Sequence, residues 1–258
     1  MERPLILLTN DDGIAAPGIH SLARILSEFG DVIGVAPATA QSGQSSALSV
    51  NKPLRINEHA DYHGYRMFSI SGTPVDCVKL GLHAIVPRKP DFLFSGTNHG
   101  SNSGNAITYS GTMGAVLEGV TVGIPSTGFS LLHHSIKADF ELSAPLVRKL
   151  CQRIIQQHDI FPQFTGLNIN IPSRMVPHGA VVCRAARGHW SEEYERYLDP
   201  SGNPFYWLTG RFVNEEPEAT DTDEYFLHQR FISIVPVTPD QTAFGAPMEA
   251  TNRLFEHL

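Results

Sequence analysis

Apolar and polar positions follow a repeating order early in this chain: a short apolar run, a polar loop, then an apolar stripe at helical spacing. Leu5-Ile-Leu-Leu8 is wholly apolar, the pattern of a parallel strand buried on both faces. It breaks at Asn10-Asp11-Asp12-Gly13, where turn-forming residues begin. Residues 18–26 then place Ile19, Leu22, Ile25 and Leu26 on one helical face. Residues 31–36 read as a second strand that ends at Pro37. Strand, helix and strand in that order imply a right-handed parallel unit. The small-residue loop 38–46 therefore opens on the same sheet edge as Asp11 and Asp12.

The pattern continues downstream. Residues 47–70 read as an excursion of short strands, with Leu48, Val50, Leu54 and Ile56 alternating, then Tyr65, Met67, Phe68 and Ile70. Thr73 is placed to cap a helix with Pro74 first and Asp76 in its first turn, and Val75, Val78 and Leu82 face the core. Residues 91–95 form another apolar strand running into a glycine-asparagine loop, 96–105. A small-residue helix starts around Ser110-Gly111-Thr112, with Val116 and Leu117 inward. Residues 124–130 read as a strand and 139–157 as an amphipathic helix burying Leu146, Val147, Leu150, Cys151, Ile154 and Ile155. Leu167-Asn-Ile-Asn-Ile171 alternates as a strand. The composition changes after about residue 175. Beyond it, Phe205-Tyr-Trp-Leu208 reads as a strand, either of an exposed arm or subunit contact or packed on its own domain. The acidic group Glu215, Glu216, Glu218, Asp221, Asp223 and Glu224 reads as a solvated loop. Residues 231–235 read as a late strand and 251–258 as a terminal helix. The fold class is α/β with a mostly parallel sheet.

With 258 residues and 41% apolar content, the chain can bury a substantial core. No apolar run approaches membrane-spanning length, and no membrane partner is expected. A net charge of −7 argues against a nucleic-acid polymer as partner, since phosphate backbones attract basic surfaces. Three isolated cysteines, Cys77, Cys151 and Cys183, form no metal or disulfide pattern, so a reducing cytoplasm is expected.

Candidate chemistry gathers at the strand ends. Asp11 and Asp12 are neighbouring anions at an edge where open α/β sheets bind ligands, and oxygen donors of this kind suit a hard divalent cation. Asp11-Asp12-Gly13 fits an ordinary solvated turn equally well. In the second loop, Ser42-Gly43 stands out, because glycine lets backbone approach a ligand. The loop 96–105 and the helix start after it expose amides that favour anions, with hydroxyls from Ser110 and Thr112. The lysine of a nucleotide-triphosphatase loop is missing.

Taken together, Asn10-Asp11-Asp12, Ser42-Gly43, Ser95-Gly-Thr-Asn98 and Ser110-Gly111-Thr112 resemble the SurE family of nucleotidases. The likeness extends through Gly72-Thr-Pro-Val-Asp-Cys77, the strand 167–171 with Pro172, Asp199-Pro-Ser-Gly202 with Tyr206-Trp207, and Thr222-Asp223 before Ser233. The resemblance implies a Rossmann-like three-layer core over 1–180 and a C-terminal extension over 181–258 that exchanges elements between subunits of a homodimer or homotetramer. It implies a phosphomonoesterase acting on nucleoside monophosphates with one divalent cation, Mg2+, Mn2+ or Ca2+, held by Asp11, Asp12, Ser42 and Asn98. Asp11 and Asp12 would be the catalytic pair, with Asp12 favoured as proton acceptor. Asn10, Gly43, Asn102, Ser110, Gly111 and Thr112 would bind substrate and phosphate. Three positions depart from the family pattern: Ala38-Thr-Ala-Gln41 before Ser42, Thr97 before Asn98, and Ala106. They bear on substrate range rather than on the metal ligands. Two rival readings remain: a covalent aspartyl-phosphate route through Asp11, which usually shows two aspartates separated by one residue, and a non-catalytic metal-binding or nucleotide-binding module.

Overall fold

Period-two alternation inside the first apolar run sorts its side chains into two different cores. In β1 (Leu5–Thr9), Ile6 and Leu8 join one buried cluster while Leu5 and Leu7 join the other. A strand with cores on both faces is the middle layer of a three-layer α/β sandwich. The computed structural model describes residues 3–62, 65–133, 135, 138–161 and 163–255.

β1 leads through α1 (Pro17–Leu26) to β2 (Asp31–Pro37), parallel to β1 and paired with it. A hairpin of β3 (Ile56–Tyr62) and β4 (Tyr65–Ile70) extends the sheet outward, β4 lying parallel to β2. The chain then crosses back through α2 (Pro74–Ala84) to β5 (Phe92–His99), which pairs with the other side of β1. It continues through α3 (Gly111–Thr121), β6 (Ser126–Leu131), α4 (Ala144–Gln156) and β7 (Gly166–Ile171), each strand parallel to the one before. The order around β1 therefore reverses between β2 and β5. Loops leaving those strands diverge there and leave the crevice in which such folds bind ligands. Helices α1 and α4 cover one face, where Ile19, Leu22, Val147 and Cys151 meet Ile6, Phe94 and Phe129. Helices α2 and α3 cover the other, with Cys77, Val78 and Ala115 against Leu7, Val35 and Leu93.

The remaining segment leaves the sheet and comes back to it. It runs through β8 (Ala180–Val182), β9 (Gly188–Ser191), β10 (Tyr194–Leu198), β11 (Pro204–Leu208), β12 (Arg211–Asn214), α5 (Asp223–His228), β13 (Ile232–Val237) and α6 (Ala246–Leu254). β13 pairs antiparallel with β7 and parallel with β8, so the sheet runs β3-β4-β2-β1-β5-β6-β7-β13-β8. β10 and β11 form a separate hairpin, exposed at every position, that carries Tyr194, Tyr197, Phe205, Tyr206 and Trp207.

Several elements differ from the sequence reading. Leu48 and Val50 belong to no strand and are exposed. The polar groups of that segment go to the cap of α2: Thr73 Oγ1 donates to the Ala47 carbonyl, and Asp76 Oδ1 accepts the Ser49 N–H. Thr73 caps α2 as the sequence predicts, and Asp76 closes a reciprocal capping box with it. α3 begins at Gly111 after a 3-10 turn over Gly104–Tyr109, and its inward side chains are Met113, Val116 and Val120, Leu117 being half-buried. α4 starts at Ala144 rather than 139, with Pro145 in its first turn. The last helix starts earlier than expected, after Gly245, and residues 256–258 of the expected span lie outside the described residues. Among the described residues, no helix is long and apolar enough to cross a membrane.

Candidate active site

The first loop is built around a buried carboxylate. Asn10, fully buried, closes the turn by donating from Nδ2 to the Gly13 carbonyl at 2.9 Å. Its Oδ1 is buried with no hydrogen-bond partner among the described residues. Asp11 is 4% exposed and accepts the Thr112 hydroxyl at 2.5 Å. Burial pushes its carboxyl up to about 6, the Asp12 charge adds to the rise, and the Thr112 hydrogen bond opposes it. Asp12 is more open, its side chain 15% exposed, and its Oδ2 accepts both the backbone N–H and the Nδ1–H of His99 at 2.9 Å each.

The start of α3 packs directly on Asp11. A Cβ on Gly111 would stand 2.8 Å from the Asp11 Cβ, and one on Gly114 would stand 2.2 Å from the Ser45 carbonyl oxygen. Only residues without a side chain allow the helix terminus, the first loop and the second loop to meet. Ser110 caps the helix by accepting the Met113 N–H at 3.1 Å. Its hydroxyl proton and the Gly111 N–H remain donors toward an anion. The Thr112 hydroxyl is engaged by Asp11, so its side chain orients a carboxylate; the sequence had suggested it for phosphate.

The second loop is tied to this group by three contacts. The Gln41 N–H donates to the Asp11 carbonyl at 2.7 Å, the Ser45 N–H to the Tyr109 carbonyl at 3.2 Å, and the Ser45 hydroxyl to the Thr108 carbonyl at 2.7 Å. Ser42 and Gly43 stand exposed at its tip, Gly43 with φ 77°. From the third loop, Asn98 is buried and donates from Nδ2 to the Gly100 carbonyl at 3.0 Å, which leaves its Oδ1 as an acceptor.

Asn102 lies in a polar ladder that the sequence did not connect to it. Its N–H meets Asn170 Oδ1 at 2.8 Å, its carbonyl accepts from Asn168 Nδ2 at 2.8 Å, and its own Nδ2 donates to Ser130 Oγ at 2.7 Å. Two asparagines at alternate positions of an apolar strand were the available signal, since period two puts both on one face. The acidic cluster needs a correction. Glu215 and Asp221 are surface groups, but Asp223 is fully buried and accepts the N–H groups of Gly104, Ala186 and Glu224 at 2.8 Å each. Burial raises its carboxyl above the usual range while those bonds lower it. Glu224 accepts the Ser103 hydroxyl, and Glu216 pairs with Arg184 and Arg187. Buried amides, not solvent, decide where Asp223 sits.

The donors gathered here are carboxylate, amide and hydroxyl oxygens. Neighbouring carboxylates with one buried, and an unpartnered Asn10 oxygen beside them, fit a hard divalent cation held by Asp11, Asp12, Asn98 and Ser42.

Known proteins resemble this chain in sequence and in fold. A family model described as "Survival protein SurE" matches residues 6–192. A protein of Flavobacterium psychrophilum named 5'-nucleotidase SurE is 44% identical over 255 residues, covering 98% of each chain. One of Phocaeicola vulgatus with the same name is 41% identical over 251 residues, covering 97% of each. The crystal structure of the SurE protein from Aquifex aeolicus superposes with a TM-score of 0.81 at 33% identity, covering 97% of this chain and 99% of that one. With its fold and its sequence in agreement over nearly its whole length, the chain belongs to the SurE family.

Proposed function

We propose that this protein is a 5'-nucleotidase, hydrolysing nucleoside monophosphates to nucleoside and phosphate. The observation that carries the reading is the buried Asp11 beside Asp12, facing the amino terminus of α3 at the reversal of strand order. The full-length relatives named as 5'-nucleotidases support it. One divalent cation, Mg2+, Mn2+ or Ca2+, fits Asp11, Asp12, Asn98 and Ser42. When bound it supplies Lewis-acid neutralisation of phosphoryl charge and acidifies water.

The chain's own groups do the rest. Thr112 fixes Asp11 and His99 fixes Asp12, so both carboxylates are held before substrate arrives. Asp12 Oδ1, the oxygen that His99 leaves, accepts the proton of the attacking water. The amide of Gly111 and the Ser110 hydroxyl receive the phosphate oxygens as their charge spreads. Water oxygen bonds to phosphorus, the ester bond breaks, and the nucleoside oxygen leaves with the electron pair and is protonated from solvent. Asn102, held on three sides, keeps the loop over the phosphate in place, and Asn10 and Gly43 complete the walls.

The exposed aromatic hairpin of β10 and β11 supports a homodimer or homotetramer in which the segment after residue 180 meets a second copy. Three unpaired cysteines support a cytoplasmic setting. The test is phosphate release from a panel of nucleoside monophosphates by metal-stripped protein resupplied with each cation. Release that needs metal and disappears in Asp11→Asn is the expected result. Metal-independent release, or full activity in Asp11→Asn, removes the proposal.

A further inference from the structure

His99 gives two hydrogen bonds to one oxygen of a proposed metal ligand. Its backbone N–H and its Nδ1 both lie 2.9 Å from Asp12 Oδ2. A carboxylate oxygen only accepts, so Nδ1 carries the proton and donates. The imidazole is held from the other side as well. Its ring meets Phe140 edge-on at a centroid distance of 5.2 Å and an angle of 87°, and Phe140 belongs to the core under α1 and α4. The side chain is 9% exposed, and Nε2 is buried with no hydrogen-bond partner among the described residues. Among the described residues, the side chain's one hydrogen bond is therefore the one to Asp12.

That bond fixes which oxygen of Asp12 does what. Asp12 is the more exposed of the two carboxylates, and a free aspartate at a loop would sample several rotamers, exchanging its oxygens. With Oδ2 taken twice by His99, Oδ1 alone is presented to the site. Asp11 is oriented in the same manner by Thr112, from the start of α3. Each carboxylate of the pair thus has its own holder, and the two holders come from different elements, β5 and α3.

We infer that His99 is a positioning residue for Asp12, pre-setting the carboxylate for the divalent cation and thereby setting metal affinity. The inference rests on the metal-binding part of the proposed function and not on the identity of the substrate. Residues that orient metal ligands from behind generally contribute as much to affinity as a weak ligand does.

Two substitutions separate hydrogen bonding from packing. His99→Phe keeps a ring against Phe140 and removes the donor; His99→Asn removes the ring and keeps a side-chain N–H near the Nδ1 position. Titration calorimetry of the metal-free full chain with Mn2+ reads the affinity, and a thermal melt confirms that each variant is folded. His99→Phe should weaken Mn2+ binding roughly 10-fold to 100-fold. His99→Asn should stay within about threefold of wild type, its amide supplying the missing donor. Equal affinities for wild type and His99→Phe would overturn the inference. So would the reverse ranking, Phe close to wild type and Asn weak, which assigns the ring a packing role only. A wild-type chain that binds no Mn2+ overturns it too. The nucleotidase reading is tested apart, by turnover at saturating Mn2+: the expected affinity ranking without hydrolysis of any nucleotide would keep the role of His99 and remove the activity.

Discussion

Burying Asp11 has a cost that metal-free protein should reveal as a pH-dependent loss of stability. Its carboxyl is raised from the ordinary 3.8 to about 6, chiefly by burial. Below the unfolded value the group is neutral in both states and the folded protein loses nothing. Between the two values the unfolded chain releases its proton while the folded one keeps it, so stability falls as pH rises, and the loss is complete above the folded value. At about 1.4 kcal/mol per pH unit, the rise to about 6 corresponds to about 3 kcal/mol at neutral pH. Asp11→Asn removes the ionisation but keeps an amide oxygen to accept the Thr112 hydroxyl. The variant without metal should therefore match wild type near pH 4 and exceed it near pH 8, by about 3 kcal/mol, or roughly 5–10 °C in melting temperature.

The assay is a thermal melt of both proteins in chelator across pH 4 to 8, followed by the same melts with Mn2+. Taking the difference between the two curves cancels the titration of every carboxylate that does not interact with Asp11. Mn2+ should raise wild type and leave Asp11→Asn nearly unmoved, reversing their order. Parallel curves in chelator would show that Asp11 is not under electrostatic stress in the fold, and the argument for a cation at this place would lose its physical basis.

Three other outcomes follow from the geometry. Gly111→Ala puts a methyl 2.8 Å from the Asp11 Cβ, so the helix start or the carboxylate must shift, and kcat/KM should fall by about 100-fold with the fold retained; normal turnover would refute the packing. Asp223→Ala strands the buried N–H groups of Gly104 and Ala186 and should cost about 2–5 kcal/mol, a fall of roughly 5–15 °C in a thermal melt, whereas Asp223→Asn, which keeps one acceptor, should lose less. Replacing Tyr206 and Trp207 together by serine strips the exposed hairpin of its tryptophan and one of its tyrosines and should shift the protein toward monomer in light scattering; an unchanged mass would move the subunit contact elsewhere.

Much of the site was legible in the sequence because its strands are buried on both faces. A wholly apolar run such as residues 5–8 can only be a middle-layer strand or a buried helix segment, and the polar break that follows dates its end. Asp11, Asp12, Ser42, Asn98 and Gly111 could thus be assigned to one edge before any distance was known. The helix cap at Thr73 was local in sequence and came through for the same reason. Contacts distant in sequence left no pattern. His99 reaches Asp12 across 87 positions, and nothing in a loop of asparagines and glycines marks that one side chain turns back. Leu48 and Val50 mimicked a strand because alternation records polarity and not hydrogen bonding; their backbone neighbours belong to the cap of α2. Asp223 looked solvated among other acids, and its burial is decided by two amides, one 119 and one 37 positions earlier.

Those same contacts change how the segment after residue 180 relates to the catalytic loops. The loop from Ser101 to Asn105 is gripped from the sheet by Asn168, Asn170 and Ser130, and from the later segment by Asp223, Glu224 and the Gly188 carbonyl, which Asn105 reaches. Neither grip is redundant. The first fixes Asn102, the second fixes the turn that follows it and leads to Ser110 and α3. β13 closes the edge of β7, the strand that supplies both asparagines, and so stiffens the first grip as well. A buried carboxylate beside a second, more open one is an arrangement under electrostatic stress, and it persists only where surrounding structure leaves it no room to relax. Here that structure includes residues 180–237. The later segment is therefore part of what shapes the site, whatever its exposed hairpin also does between subunits.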